Sequence, residues 1–398
     1  MKRAMLLLLI LASCTADNQN LQSDRLMSLP YMSWSDVHED DLDKSGVTMH
    51  DSGAYTGLNL YQSEDKGEAY LMDMEGNVLH SWNAAEGYDC HEECKWHHVE
   101  MDDQGNLYLV VKDTMLAKLS WESGGVGYAG VSAHHDMDRA ENGDIYVLTR
   151  EDLDVSYKGI DVRIANEYII GMYPNSTVFT NISLYDSLGG ELFIEPSLLK
   201  SIVKRIEEEG IGSFDAYHAN TIEMIEKDTD FADKGDLLLS VREIDMLIVM
   251  DTEGEIKWTW GPGVVDMQHH PTMLENGNIL LFDNQGFRNY SRVIELDPRT
   301  EKIVWTYPAL PTEKFYSESR GSSQKLPNGN VLITESNKGH VIEVTTGGEI
   351  VWEWWNPEIR DGKREVVYRM KRLGPEQIGM LPFSSEVQED LKKRGYIP

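Results

Sequence analysis

Gln268-His269-His270-Pro271-Thr272-Met273-Leu274-Glu275-Asn276-Gly277-Asn278-Ile279-Leu280-Leu281-Phe282-Asp283 is the stretch from which the rest of the chain can be read. Two histidines open it, Asn276-Gly277 interrupts it, and a run of large apolar residues closes it. Glycine after asparagine accepts positive φ without steric cost, so the stretch reads as strand, tight turn, strand. Immediately downstream, RVIELDPRTEKIVWTYP (292–308) repeats strand, turn, strand and closes on an aromatic. Together the two halves make a four-stranded antiparallel unit.

The unit recurs. HHVEMDDQGNLYLVV begins at His97, HHDMDRAENGDIYVLT at His134 and GSSQKLPNGNVLITES at Gly321. The second half recurs as AYLMDMEGNVLHSWN (69–83), LIVMDTEGEIKWTWG (247–261) and HVIEVTTGGEIVWEWWNP (340–357), each carrying tryptophan near its end. Aligned on the turn glycine, His97, His135 and His269 each stand eight residues before Gly105, Gly143 and Gly277, and Gly321 holds the same column before Gly329. His218, in DAYHANTIEMI, belongs to this column too, with its turn expanded to EKDTDFADKGD. Four histidines therefore share one structural position.

Steps of 51 residues from His218 to His269 and 52 from His269 to Gly321 suit propeller blades of four strands. The step from His97 to His135 is shorter, and that from His135 to His218, 83 residues, includes PSLLKSIVKRIEEEG. Leu198, Leu199, Ile202, Val203 and Ile206 recur there at helical spacing, so a helix should pack on a blade edge. Counting a first unit near residues 56–83 gives six. The expected fold is all-β, a six-bladed β-propeller with a short helical insertion and a C-terminal extension. Its expected parts are a signal peptide (1–14), a flexible tether (15–41), the propeller (42–357) and an extension (358–398) that caps it. Closure should borrow a terminal strand. Since the innermost strands of a propeller line its channel, the histidine column should converge at one channel mouth.

Charge narrows the partners. Asp and Glu number 68 against 36 Lys and Arg, a formal net charge of -32 that repels nucleic acid and anionic headgroups. A site for an anion must therefore bring its own local positive charge. At the amino end, Lys2 and Arg3 precede an apolar run, Met5–Ala12, too short to span a bilayer. Leu11-Ala12-Ser13-Cys14 matches a bacterial lipobox, so Cys14 is expected to be lipidated, and Thr15 after it suits the periplasmic face of the outer membrane. In an exported chain, Cys90 and Cys94 are expected as a small disulfide loop; metal binding with His91, His97 or His98, and free thiols, are the alternatives.

Between residues 56 and 357 the chain resembles the bacterial arylsulfate sulfotransferases, the arylsulfotransferases that work without the nucleotide sulfate donor PAPS and fold as six-bladed propellers. The resemblance is carried by YHANTIEM (217–224), DLLLSVRE (236–243), IVMDTEGEIKWTWGPG (248–263), QHHPTMLENGNILLFDNQ (268–285) and SRVIELDPRTEKIVWTYP (291–308). It implies a nucleophilic histidine at His269, with His270 the competing candidate; a His-x-Asn pair at His218 and Asn220; an arginine at Arg242; a His-His pair at His134 and His135; and a hydroxyl near sulfate at Ser322 or Ser323. Arg242 here is followed by Glu243, where the family motif continues with His or Asn.

The implied reaction moves a neutral SO3 unit between two phenolic oxygens, so the protein must hold donor and acceptor in line and stabilise charge on three equatorial oxygens. A sulfated histidine would divide the transfer into two steps. Arg242, His218 and Asn220 are the expected donors to those oxygens, and His135 the acid for the departing phenolate. Substrate contacts are also assigned to His134, His270 and Ser322. Asp283 and Asn284 read as turn and ladder-end residues. No glycine-rich phosphate loop precedes a helix, in keeping with a reaction that needs no nucleotide donor, and no cofactor and no metal are expected. The partners expected are an aryl sulfate, a phenol and the membrane reached through the lipid. The alternatives are a propeller that binds a ligand or metal without turnover, and a hydrolase in which water replaces the phenol.

Overall fold

The computed structural model describes residues 33–83, 96–210, 212–286 and 288–398. Cys14, Cys90 and Cys94 lie outside the described residues. The QHHPTMLENGNILLFD stretch forms the strands His269–Met273 and Ile279–Asp283. The Leu274 N–H donates to the Asn278 carbonyl at 2.8 Å, and Gly277 N–H donates to the Leu274 carbonyl at 2.9 Å. The loop is thus three residues, Glu275 to Gly277, with Gly277 at φ 80° in the left-handed position that such a loop requires.

With Arg292–Asp297 and Lys302–Tyr307 these strands make one four-stranded antiparallel sheet, and the described residues make five more of four or five strands. Their first strands in chain order are Trp96–Met101, Ala133–Arg139, Ala219–Met224, His269–Met273 and Ser322–Lys325, joined by Met370–Leu373 from the carboxyl end. Each first strand neighbours the next sheet, and Ser322–Lys325 in turn neighbours Met370–Leu373, so the six sheets form a closed, propeller-like ring. Successive apolar faces, such as Leu237, Leu239, Ile248 and Met250, fill the space between sheets.

Both termini complete this ring. Met370–Leu373 pairs with Leu58–Ser63 as the inner strand of the first sheet, and Gly46–His50 pairs with Ile350–Trp355 as the outer strand of the last. Where the first and last sheets meet, the buried Arg372 guanidinium donates to Glu343 at 2.8 Å, to the Tyr55 carbonyl at 2.7 Å and to Asn59. The extension 358–398 therefore contributes a strand to the ring. It also lays Phe383, Leu391 and Tyr396 against the cluster around Trp82 and Met74. Trp34–Asp36, inside the stretch expected as tether, pairs with Lys363–Glu365.

The long step between His135 and His218 is explained by two 13-residue strands, Ile145–Tyr157 and Ile160–Met172, whose hairpin runs beyond its sheet. The helix Pro196–Glu209 covers it. Proline at its first turn lacks the N–H that would go unpaired there, and Gly210 ends it at φ 70°. Leu198, Leu199 and Ile202 are its buried residues, packed on Ile164 and Phe214. Among the closing tryptophans, Trp82, Trp352 and Trp354 are buried to 2% exposure or less, whereas Trp258 and Trp305 are only partly covered.

Candidate active site

In four of the sheets the inner strand begins with a break in register, between Trp96 and His98, Ala133 and Met137, Ala219 and Thr221, and His269 and Thr272. A bulge lets consecutive side chains leave the strict alternation of a strand. His135, His218 and His270 sit at φ 56°, 51° and 50°, a conformation uncommon outside glycine that is held where the surroundings demand it. At this column the last sheet has Gly321. A Cβ there would lie 2.3 Å from the Phe282 ring, so this sheet cannot offer a fifth side chain at the column.

Three of the four column histidines, His97, His135 and His218, converge, together with His134. His135 and His218 meet through their Nε2 atoms at 2.8 Å. His97 stacks on His135 with ring centroids 5.2 Å apart and on Tyr368 at 5.8 Å, and the Tyr368 hydroxyl lies 3.4 Å from His135 Nδ1. His134 Nδ1 lies 2.8 Å from Asp113, and His218 Nδ1 bonds to the buried Asp215. Arg150 contacts both of these carboxylates.

His269 occupies the neighbouring wall. Its Nδ1 lies 2.9 Å from the Met267 carbonyl and 2.7 Å from Asn284 Oδ1. The Asn284 amide is oriented by its own donors, since Nδ2 donates to the Ser317 and Arg320 carbonyls at 2.7 and 2.8 Å. Both neighbours of His269 Nδ1 are therefore acceptors, so Nδ1 carries the proton and Nε2 keeps its lone pair. Desolvation, reinforced by the Arg242 charge, lowers the His269 pKa to about 3, so the ring is neutral at pH 7. His218 is lowered to about 4, again by burial and then Arg242, with Asp215 opposing. Burial and the neighbouring histidines push His135 well below its ordinary value. The cluster is a set of uncharged imidazoles.

A cavity beside His269 is lined by Asn220, Thr221, His270, Arg320, Gly321, Tyr368 and Arg369. Arg320 and Arg369 stand on its wall, the first 3.5 Å from the buried Glu64 carboxylate and the second 3.3 Å from that of Asp136. The wider surface cleft elsewhere is lined by Glu226, Asp228, Asp230 and Glu275, together with Lys227 and Arg299. Asn220 donates one amide hydrogen to the Gln268 carbonyl. Arg242 starts the short turn after Leu237–Val241, where its N–H donates to the His218 carbonyl at 3.1 Å. Its ion pair with Glu243 is buried rather than exposed. His270 Nδ1 lies 3.1 Å from the Ser323 carbonyl. Ser322 is buried in the last sheet and does not line the cavity.

Sequence reading missed Asn284, Asp215, Arg320, Tyr368 and Arg369. Arg320 directly precedes Gly321 of the repeat column, a signal that was available, whereas Tyr368 and Arg369 lie in a tail with no repeat to mark them. Asn284→Ala should leave the Met267 carbonyl as the remaining acceptor at His269 Nδ1, hold the ring less firmly and reduce turnover by roughly tenfold, the worth of about one hydrogen bond. In steady-state assays this should appear in kcat more than in KM; an unchanged kcat would remove Asn284 from the site.

The family model described as Arylsulfotransferase (ASST) matches residues 121–357, a span that holds every expected site residue from His134 to Ser322. Among solved structures, a protein of unknown function from Bacteroides caccae is similar at 11% identity over 80% of this chain and 99% of that one, with a TM-score of 0.53. A streptogramin B lyase is similar at 11% identity over 83% of this chain and 97% of that one, with a TM-score of 0.47. The WD40 β-propeller domain of Doa1 is similar at 12% identity over 83% and 88% of the two chains, with a TM-score of 0.42. No curated protein matches by sequence. Such identities speak to fold alone.

Proposed function

The chain belongs to the arylsulfotransferase family, and on that premise we propose that it transfers a sulfuryl group from a phenolic sulfate ester to a phenol through a sulfohistidine at His269. We read its six sheets as the blades of a six-bladed propeller, with the donor entering at the histidine mouth. The observation that carries the reading is His269 itself, buried, neutral and fixed by Met267 and Asn284 with Nε2 as its free lone pair.

In the first step the Nε2 lone pair attacks sulfur, the bond from sulfur to the aryl oxygen breaks, and the phenolate leaves with that electron pair. In the second the acceptor oxygen attacks sulfur, the N–S bond breaks, and the acceptor's proton passes to the site. Arg320 and Arg369, on the cavity wall with His269, support binding of the equatorial oxygens. Arg242 adds its field from behind His218 and His269. The hydrogen-bonded pair of His135 and His218 supports proton traffic to and from the phenolic oxygens. The lipobox at Cys14 supports an exported enzyme tethered to the cell envelope.

The test is incubation with 4-nitrophenyl sulfate with and without phenol. Release of nitrophenolate that needs phenol, parallel lines in double-reciprocal plots, and a mass gain of one SO3 on the protein without acceptor are expected. Release without phenol at the same rate would make the protein a hydrolase, and no release would end the reading.

The pH dependence follows from the neutral ring. The active form is unprotonated, so activity is present above the pKa of His269 and lost as pH falls through it. With that value near 3, the acid limb of kcat/KM should lie well below the 6.5 of an ordinary histidine. A limb centred at 6.5 would show that the nucleophile is an exposed or differently placed imidazole.

A further inference from the structure

His134 Nε2 is a buried ring nitrogen with no hydrogen-bond partner, on a side chain that is 0% exposed. Its other nitrogen faces the Asp113 carboxylate at 2.8 Å, which as an acceptor requires the proton on Nδ1. Nε2 is therefore a bare lone pair sealed from water, a costly state that calls for a partner. The same reasoning applies to His218, whose Nδ1 bonds to Asp215 and whose Nε2 is turned to His135. One ring nitrogen from each of His134, His135 and His218 lies within 4.8 Å of the others.

We propose that His134, His135 and His218 form a three-imidazole site for one divalent cation of the zinc class. Imidazoles without a carboxylate ligand suit zinc and its neighbours and not calcium or magnesium. A tetrahedral ion with Zn–N bonds of about 2.0–2.1 Å separates its ligand nitrogens by roughly 3.3 Å, between the 2.8 Å of His135 to His218 and the 4.8 Å limit of the three. Each ring also has its own partner on the far nitrogen: Asp113 for His134, Asp215 for His218 and the Tyr368 hydroxyl for His135. Outer partners of this kind orient metal-bound imidazoles and raise their basicity. Without the cation, His135 Nε2–H donates to His218. On binding, the proton moves to His135 Nδ1, where the Tyr368 oxygen accepts it, and all three Nε2 atoms face the ion. No net proton is released. Three protein ligands leave a fourth position open, as in catalytic rather than structural zinc sites.

The site shares His135 and His218 with the transfer mechanism but does not depend on it, because cation binding is read without any sulfate ester. The full chain, stripped with a chelator and dialysed, is titrated with zinc chloride by calorimetry and with cobalt(II) by its visible spectrum. One equivalent of zinc and the intense bands of four-coordinate cobalt are expected. His134→Ala removes a ligand and should weaken zinc by more than the roughly 10–100-fold expected of Asp113→Asn, which removes only an outer partner. Circular dichroism checks that each variant folds, and if His134→Ala does not, Asp113→Asn carries the comparison. Absence of saturable zinc binding, or zinc affinity unchanged in the folded variants, would overturn the proposal.

Discussion

Replacing His269 with alanine is expected to lower sulfuryl transfer from 4-nitrophenyl sulfate to phenol by at least about 10³-fold, roughly 4 kcal/mol of barrier. The variant removes a nitrogen that the surroundings keep neutral, deprotonated at Nε2 and beside the arginine-lined cavity. It also leaves the Met267 carbonyl and the Asn284 oxygen without their donor, at about 1–3 kcal/mol of stability. A chain of 398 residues with a closed ring should tolerate that loss, and thermal unfolding followed beside the assay separates lost chemistry from lost fold. His270→Ala is the paired measurement. His270 lines the cavity but stands one residue past the repeat column that His269 occupies, so the variant should retain transfer within about tenfold, well short of a nucleophile's loss. If His270→Ala abolished transfer while His269→Ala retained it, the nucleophile would be the neighbour.

Arg372→Leu is expected to give the largest loss of stability, about 3–5 kcal/mol in urea titrations. Arg372 and Glu343 are both fully buried, and their ion pair joins the strand from the carboxyl end to the last sheet. The single variant leaves a buried carboxylate whose other oxygen still accepts from the Tyr55 and Asn330 amides but whose charge has lost its partner. The double variant Arg372→Leu with Glu343→Leu removes both charges and should be less destabilised than Arg372→Leu alone, because an unpaired buried charge costs more than a missing pair. Equal losses would show that stacking of the Arg372 guanidinium over Trp352, 4.7 Å from its ring centre, and not the pairing with Glu343 joins the two ends.

How much of this was legible beforehand differs from residue to residue. His97, His135, His218 and His269 were identified as one column because the turn glycine gives each repeat a fixed ruler, and the sheets do bring His97, His135 and His218 into contact. Asn284 was read as a ladder end, yet it orients His269. Nothing local to LFDNQG indicates which way its amide turns, since that depends on carbonyls of Ser317 and Arg320 more than thirty residues away. That Arg242 and Glu243 are both buried as a pair was not visible in the sequence, because burial depends on what packs over them. Ser322 shares the column's neighbourhood by number, but the last sheet's approach to the cavity is made by Arg320 and Gly321, and Ser322 is buried outside it.

The sequence by itself determined the repeating strand-turn-strand unit, the all-β class, the histidine column and the family. These follow from short-range chemistry, glycine at a turn and alternation along a strand, that each segment carries within itself. Only the tertiary structure decided which nitrogen of each histidine holds the proton, that Tyr368 and Arg369 from the tail join the site, and that Arg372 and Glu343 lock the two ends together. Those outcomes depend on partners far apart in the chain, which become neighbours only when the ring closes and water is excluded from its mouth.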